Sequence, residues 1–239
     1  MNIRRILATT VAAAAATTLA AGPALAYDRD AYSNAAGSMI ERSDIPKELG
    51  EFKKNLGFSA YASGSRIFVC DVPQADPNAP DVAIYMPGAK YSFNGSYQGK
   101  GKNDPVTIDV TVNQYASAMD AIDAFDALKK NIKKCTGSGS NTWTDEDGTT
   151  TTYSTELTNG VVPAVTTTGV ESLFVSNNSL QETTPGDSRY LNDDYSVYSL
   201  VDDVVIVTEY SANTNANLTT KQRKAVNQVA FNAETRWLD

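Results

Sequence analysis

The chain contains no histidine and only two cysteines among 239 residues. Histidine is the commonest general base, so its absence excludes the usual serine and cysteine catalytic triads. A Ser–Lys dyad would need no histidine, but the sequence has no Ser-x-x-Lys motif. We therefore predict no catalytic residue. A secreted hydrolase that acts without histidine is the alternative.

Basic residues are also scarce, with 20 Lys and Arg against 28 Asp and Glu and a net charge of −8. An acidic surface repels phosphate backbones and anionic lipid headgroups. We therefore expect neither nucleic acid nor a membrane surface as a partner. An acidic surface could instead serve a protein-interaction module, which is a third functional class for this chain.

Long apolar runs are absent except at the N-terminus. The chain opens with MNIRR, continues uncharged over residues 6–21, and reaches Ala24-Leu25-Ala26. About 16 residues are too few for a membrane anchor, which needs roughly 20, whereas the small-x-small pattern suits a signal peptidase. We predict a signal peptide over 1–26, cleavage between Ala26 and Tyr27, a secreted mature chain of charge −10, and no stable membrane insertion after cleavage.

The two cysteines are Cys70 and Cys135. In an oxidising compartment such a lone pair most simply forms a disulfide, which would close a loop of about 65 residues. Two free buried thiols are the alternative. A metal site is disfavoured because the cysteines are far apart and histidine is missing, so we predict no metal and no cofactor.

Alternation of apolar and polar residues predicts several strands. In 106–115 the even-numbered residues Val106 to Val112 are apolar, while the odd-numbered Thr107 to Asn113 are polar, which predicts a sheet with one solvated face. Residues 58–70 are predicted to form a strand or a hairpin, and further strands are predicted at 82–85, 91–97, 170–175, 195–201 and 204–210.

Two segments predict helices. Ser117 and Asp120 form a variant capping box before an apolar stripe of Ile122, Phe125, Leu128, Ile132 and Cys135 in residues 117–134. Thr219 and Gln222 form a second capping box. The buried stripe of that second helix is predicted to contain Val226, Val229, Ala230, Ala233 and Trp237.

Each predicted helix follows a predicted strand that ends in tyrosine. The two strand sequences, VTVNQY (110–115) and VIVTEY (205–210), resemble each other. This is either a weak internal repeat or chance similarity between amphipathic strands. As a repeat, it predicts an α+β fold with one antiparallel sheet, two main helices packed on one face, and one disulfide. We expect residues 27–44 to be loose and residues 45–239 to form one domain.

Twelve tyrosines offer candidate ligand contacts, because a tyrosine ring combines an apolar body with a polar tip. Tyr115 and Tyr210 occupy equivalent positions in the repeat, so we predict that they flank one cleft and bind a ligand there. Ordinary packing within strands is the alternative. The acidic run Asp145 to Gly148 lacks the remaining ligands of a calcium loop and instead predicts a hairpin turn.

Three segments resemble the PknH-like extracellular sensor domains of actinobacterial secreted proteins and lipoproteins. VTVNQYASAMDAIDAFDALKKNIKKCTG (110–137) is similar to the strand–helix–Cys segment of that family. DDVVIVTEYSANTNANLTTKQRKAVNQVAFNAETRW (202–237) is similar to its closing strand and Leu-Thr-x-x-Gln helix start, and SMIERSDIPKELG (38–50) to its opening segment.

The resemblance implies an α+β domain with a cleft for an extracellular ligand, and it matches Cys70 and Cys135 to the first disulfide of the family. A second family disulfide, a kinase domain and a membrane anchor have no counterpart here. We expect a secreted, non-enzymatic envelope protein that binds a small molecule or cell-wall fragment in a cleft. The sequence does not indicate which oligomeric state the protein adopts.

Overall fold

The structure is a computed structural model, and it describes residues 35–37, 39–53, 57–62, 66–73, 81–99, 106–162, 170–184, 188–214 and 218–239. The predicted signal peptide and its cleavage site between Ala26 and Tyr27 lie outside these residues. None of the helices in the described ranges has the length and apolarity needed to cross a bilayer.

The described residues form ten strands, two long helices and two short 3₁₀ helices at 42–44 and 47–49. The strands are β1 Gly57–Ala62, β2 Ile67–Val72, β3 Val82–Met86, β4 Tyr91–Gln98, β5 Val106–Gln114, β6 Gly137–Thr144, β7 Thr150–Val161, β8 Ser172–Thr184, β9 Ser188–Val201 and β10 Val204–Thr214. The helices are α1 Ala118–Ile132 and α2 Thr220–Leu238.

Eight strands form one antiparallel sheet in the order β1-β4-β5-β10-β9-β8-β7-β6, and β2 pairs with β3 in a separate hairpin. Strand β10 lies between β5 and β9 at the centre. The predicted α+β class with an antiparallel sheet is confirmed.

The two helices pack on opposite faces of the large sheet, so the prediction that both pack on one face is wrong. In β10, Val204 and Ile206 join the apolar core under α2, whereas Val205 and Val207 join the core under α1. Successive strand residues point to opposite faces, and a continuous apolar run is typical of a strand buried on both. We call these sides the α1 face and the α2 face.

The helix starts follow the predicted caps. The Ser117 hydroxyl accepts a hydrogen bond from the Asp120 amide at 3.2 Å, and Thr219 and Gln222 form a reciprocal capping box. In α1 the buried residues are Ala121, Ala124, Phe125, Leu128 and Ile132. Ile122 is exposed, so the buried stripe is rotated slightly from the predicted one.

The disulfide joins Cys70 in β2 to Cys135, just beyond α1, and confirms that prediction. Val69 of β2 and Met86 of β3 share a core with Phe125 of α1. The β2–β3 hairpin is therefore fixed against α1 and lies over the α1 face of the large sheet.

The N-terminal segment expected to be loose is packed in its described part. Met39 and Ile40 are buried in the core under α2, and the Ile40 carbonyl accepts a hydrogen bond of 2.5 Å from the Tyr97 hydroxyl. Asp44 pairs with Arg236 of α2 at 2.6 Å. Apolar contact and this ion pair together hold the segment against α2.

The acidic run at 145–148 forms the turn between β6 and β7, as predicted. The Gly148 amide donates to the Asp145 carbonyl at 2.9 Å, and Gly148 has a φ of 84°, which favours glycine. The Asp147 carboxylate accepts from the Thr149 amide at 2.9 Å. These groups are used in closing the hairpin.

Candidate functional site: a polar groove on the α1 face

The α1 face is polar where it is formed by β4 and β5. The Ser92 hydroxyl donates to the Asn113 side-chain oxygen at 2.8 Å, and the Asn113 amide donates to the Val205 carbonyl at 3.3 Å. The Asn94 amide donates to the Thr111 hydroxyl at 2.8 Å. This is the polar side of 106–115 that the alternation predicted, and its side chains are ordered by cross-strand hydrogen bonds.

The β2–β3 hairpin lies above this polar surface and leaves a groove of about 330 Å³. One wall is residues 66–69 at the start of β2. The floor contains Ser92, Thr111 and Asn113, followed across the sheet by Ser196 and Tyr198 of β9. Ligand sites of small molecules begin at about this volume.

Three polar side chains of the floor are almost completely buried: Ser92, Asn113 and Tyr198. The Tyr198 hydroxyl donates to the Val69 carbonyl at 3.5 Å, which is a long contact between the floor and the wall. Burial raises the pKa of Tyr198, and the nearby charge of Glu209 raises it further. Tyr198 therefore remains a neutral hydroxyl throughout the physiological range.

Glu209 of β10 lines the same groove and adds a carboxylate to it. Its side chain is exposed, and its position in the lining of a concave surface leaves it partly desolvated. This desolvation raises the pKa of Glu209, and the charges of Asp194 and Asp109 raise it further. Asp109 lies directly opposite Glu209 in the β5–β10 pairing, so negative charge is concentrated at this end.

The wall contributes a cation and an aromatic ring. Arg66 immediately precedes β2 and lines the groove. Phe68 has 51% of its surface exposed, and its ring meets the edge of Tyr85 with centroids 5.9 Å apart. Because an exposed ring is costly in water, Phe68 offers a favourable contact to an apolar part of a ligand.

Tyr115 and Tyr210 do not flank one cleft, so that prediction is wrong. Tyr115 packs in the core under α1 with 5% of its surface exposed, whereas Tyr210 packs in the core under α2 with 2% exposed. The two sequence segments are 95 residues apart. In the β5–β10 pairing, residues directly opposite each other are both even-numbered or both odd-numbered, such as Val110 and Thr208. Because side-chain direction alternates along a strand, an odd offset therefore places matching residues of the two strands on opposite faces.

Tyr115 does border a second, shallower depression of about 500 Å³ near the start of α1. Its hydroxyl donates to the Pro87 carbonyl at 2.9 Å, and burial raises its pKa. The rest of the depression includes Lys90, Asp120 and Asp123. Asp120 is already used in the helix cap, so this depression has fewer convergent polar groups than the groove.

The described part of the chain contains no cluster of three or more Cys, Asp or Glu side chains suited to hold a metal ion. The groove itself mixes one carboxylate and one guanidinium with hydroxyl and amide groups. Such a lining can bind an organic molecule through hydrogen bonds and charge.

Sequence reasoning did not identify the groove residues. Arg66 and Phe68 lie at the start of the β2–β3 hairpin, Ser196 lies on β9 and Glu209 on β10, and only the folded structure brings them together. One signal was available: the polar side of 106–115, which we interpreted as exposed to solvent rather than as the floor of a site.

Comparison with known proteins gives matches of two different kinds. Residues 89–222 match the family model described as PknH-like extracellular domain. Among solved structures, the extracellular domain of PknH from Mycobacterium tuberculosis is similar at 13% identity, with 84% of this chain and 94% of that chain covered and a TM-score of 0.41. Comparison with curated protein sequences yields no match.

Proposed function

The chain belongs to the family of PknH-like extracellular domains, and from this premise we propose that it is a secreted, non-enzymatic protein that binds a small molecule or cell-wall fragment. Membership places the domain outside the cytoplasm. The predicted signal peptide supports secretion of the whole mature chain. Binding takes place in the groove between the β2–β3 hairpin and the sheet.

A single observation carries this proposal: the groove has a floor of buried polar side chains on the neighbouring strands β4 and β5. Ser92 and Asn113 are each 1% exposed and hydrogen-bonded to each other. Groups held in this way are pre-organised for recognition, because little side-chain entropy is lost on binding.

The hydrogen bonds of the floor also favour binding over catalysis. The Ser92 hydroxyl donates to an amide oxygen, and the Thr111 hydroxyl accepts from an amide nitrogen. Neither hydroxyl is bonded to a base that could activate it as a nucleophile. We therefore propose a binding protein that leaves its ligand unchanged.

The experiment that tests this proposal measures small molecules retained by the exported protein. Wild-type protein is incubated with culture fluid and cell-wall digest, passed through a size-exclusion column, and its bound compounds are identified by mass spectrometry. Ser196→Trp fills the groove with an indole. Ser140→Trp is the matched control, because Ser140 is exposed on β6 of the same sheet.

We expect wild type and Ser140→Trp to retain the same compounds and Ser196→Trp to lose them. Phe68→Ser is a second groove variant whose fold is protected by the high exposure of that ring. The proposal is contradicted if wild type retains nothing, or if the folded groove variants retain the same compounds as wild type.

A further inference from the structure

The groove carries charges of opposite sign on two different elements. Arg66 lies on the hairpin wall, and Glu209 lies on the sheet. Neither forms an ion pair with another described residue, although other cations of the protein do, such as Lys129 with Glu171 at 2.7 Å. Both charges are therefore available to a ligand.

The Glu209 end favours a cation. Asp109 faces Glu209 across the β5–β10 pair, and Asp194 lies on the next strand, with one carboxylate oxygen accepting from the Ser211 hydroxyl at 2.6 Å. Mutual repulsion between the Glu209 and Asp109 carboxylates is relieved when a positive group binds beside them. An ammonium group fits this requirement, since its three donors suit carboxylate and hydroxyl oxygens.

Arg66, on the hairpin wall, favours an anion. A guanidinium presents paired N–H donors that match the two oxygens of a carboxylate. The rest of the groove lining offers both apolar contact and hydrogen-bonding groups to a short organic backbone. Phe68 and Val207 provide apolar contact, while Thr111 and Ser196 provide hydroxyl groups.

From this arrangement we infer that the groove takes a zwitterionic ligand, an amino acid or short peptide with a free amine bound at Glu209 and a free carboxylate bound at Arg66. This inference rests on the proposed function and specifies the ligand class of the same site. Free peptides and the peptide part of cell-wall fragments share this chemistry.

Four probes separate the contributions of the two ligand charges. They are alanylalanine, its N-acetyl derivative without the ammonium, its C-terminal amide without the carboxylate, and N,N′-diacetylchitobiose as a neutral saccharide. Affinity is measured by NMR titration of ¹⁵N-labelled exported protein near neutral pH. A peptide-stem preparation from cell walls is compared with free dipeptide to distinguish the two sources.

We expect alanylalanine to bind at least tenfold more tightly than either blocked derivative, because each charge-assisted contact is lost on blocking. Arg66→Gln should remove the preference for the free acid over the amide. Glu209→Gln should remove the preference for the free amine over the acetylated form. Arg42→Gln and Glu156→Gln are matched controls at exposed positions outside the groove and should keep both preferences.

Three outcomes overturn the inference. One is tighter binding of the saccharide than of alanylalanine, which would leave a binding function in place with another ligand class. Another is no binding by any of the four probes. The third is an unchanged preference in Arg66→Gln and Glu209→Gln. Failure of the proposed function is distinguished separately, because it appears in the retention experiment: wild type retains no natural compound, or the folded groove variants retain the same compounds as wild type.

Discussion

At the scale of single residues, Glu234 is an unusual side chain for the core, since a carboxyl group rarely occupies a fully buried position. It projects from α2 with 1% of its surface exposed. One of its oxygens accepts from the Ser172 hydroxyl at 3.2 Å, and Ser172 contacts the Ser199 hydroxyl at 2.9 Å. Burial raises the pKa of Glu234 above its usual value near 4.5, so the folded protein favours the protonated carboxyl.

This raised pKa predicts a pH dependence of stability with a definite sign. Above the usual pKa near 4.5, the unfolded chain releases the Glu234 proton before the folded chain does. The free energy of unfolding therefore falls as pH rises through this window, up to the raised pKa in the folded protein. Glu234→Gln cannot titrate, so its stability should decline less between about pH 4.5 and neutrality in urea unfolding. Parallel stability curves for the two proteins would contradict this assignment.

Tyr115 and Tyr210, which we expected in a cleft, are buried in the core and therefore have a structural role. Tyr210 is 2% exposed, and burial raises its pKa to about 12. Removing such a ring leaves a cavity, so Tyr210→Ala should lower the free energy of unfolding by about 3–5 kcal/mol. Tyr153→Ala is the control at an exposed position on β7 and should cost less than about 1 kcal/mol. Equal losses in urea unfolding would show that Tyr210 is not a core residue.

At the scale of elements, α1 is the helix whose position most affects the groove, because it supports the hairpin that forms the wall. Phe125 is fully buried between α1, the hairpin and the sheet. We expect Phe125→Ala to lower the free energy of unfolding by about 3–5 kcal/mol. Ile122→Ala, on the exposed side of the same helix, should cost far less. A loss below about 1 kcal/mol for Phe125→Ala would contradict the packing of α1.

Helix starts were predictable because capping is a local property of sequence. The Ser117 and Thr219 hydroxyls each accept a hydrogen bond from the backbone amide three residues ahead, which would otherwise lack a partner within the helix. The faces on which the helices pack were not predictable in the same way. They depend on β10, whose run Val204 to Val207 is apolar on both sides. The prediction relied on the alternation of apolar and polar residues in β5, which indicated that only one face of the sheet is covered by helices.

At the scale of the whole molecule, the disulfide connects the small hairpin to the main body. Cys70 and Cys135 are separated by 65 residues, and the chain-entropy model assigns roughly 4 kcal/mol to closing such a loop. Replacing both cysteines by alanine should lower the free energy of unfolding by about 2–4 kcal/mol and weaken retention of groove ligands, because β2 forms the wall. Unchanged stability and unchanged retention would contradict this role.

The class of fold and the disulfide could be predicted because the alternation of apolar and polar residues, the helix caps and the number of cysteines can all be identified from the sequence alone. The groove could not, because Arg66, Ser92, Ser196 and Glu209 meet only after β10 inserts between β5 and β9. Sheet order of this kind is set by long-range packing. The resemblance to a family implied the α+β class and the disulfide but named no ligand-contacting residue.

The most direct test of the groove as the ligand site is a map of backbone amide shifts by NMR, recorded with the compounds that the wild-type protein retains. We predict that the largest shifts occur at residues 66–69, 196–198 and Glu209, where the hairpin and the sheet face each other. Shifts confined to Gly88, Lys90 and residues 120–124 would place the ligand in the depression beside Tyr115 and would contradict the assignment of the groove.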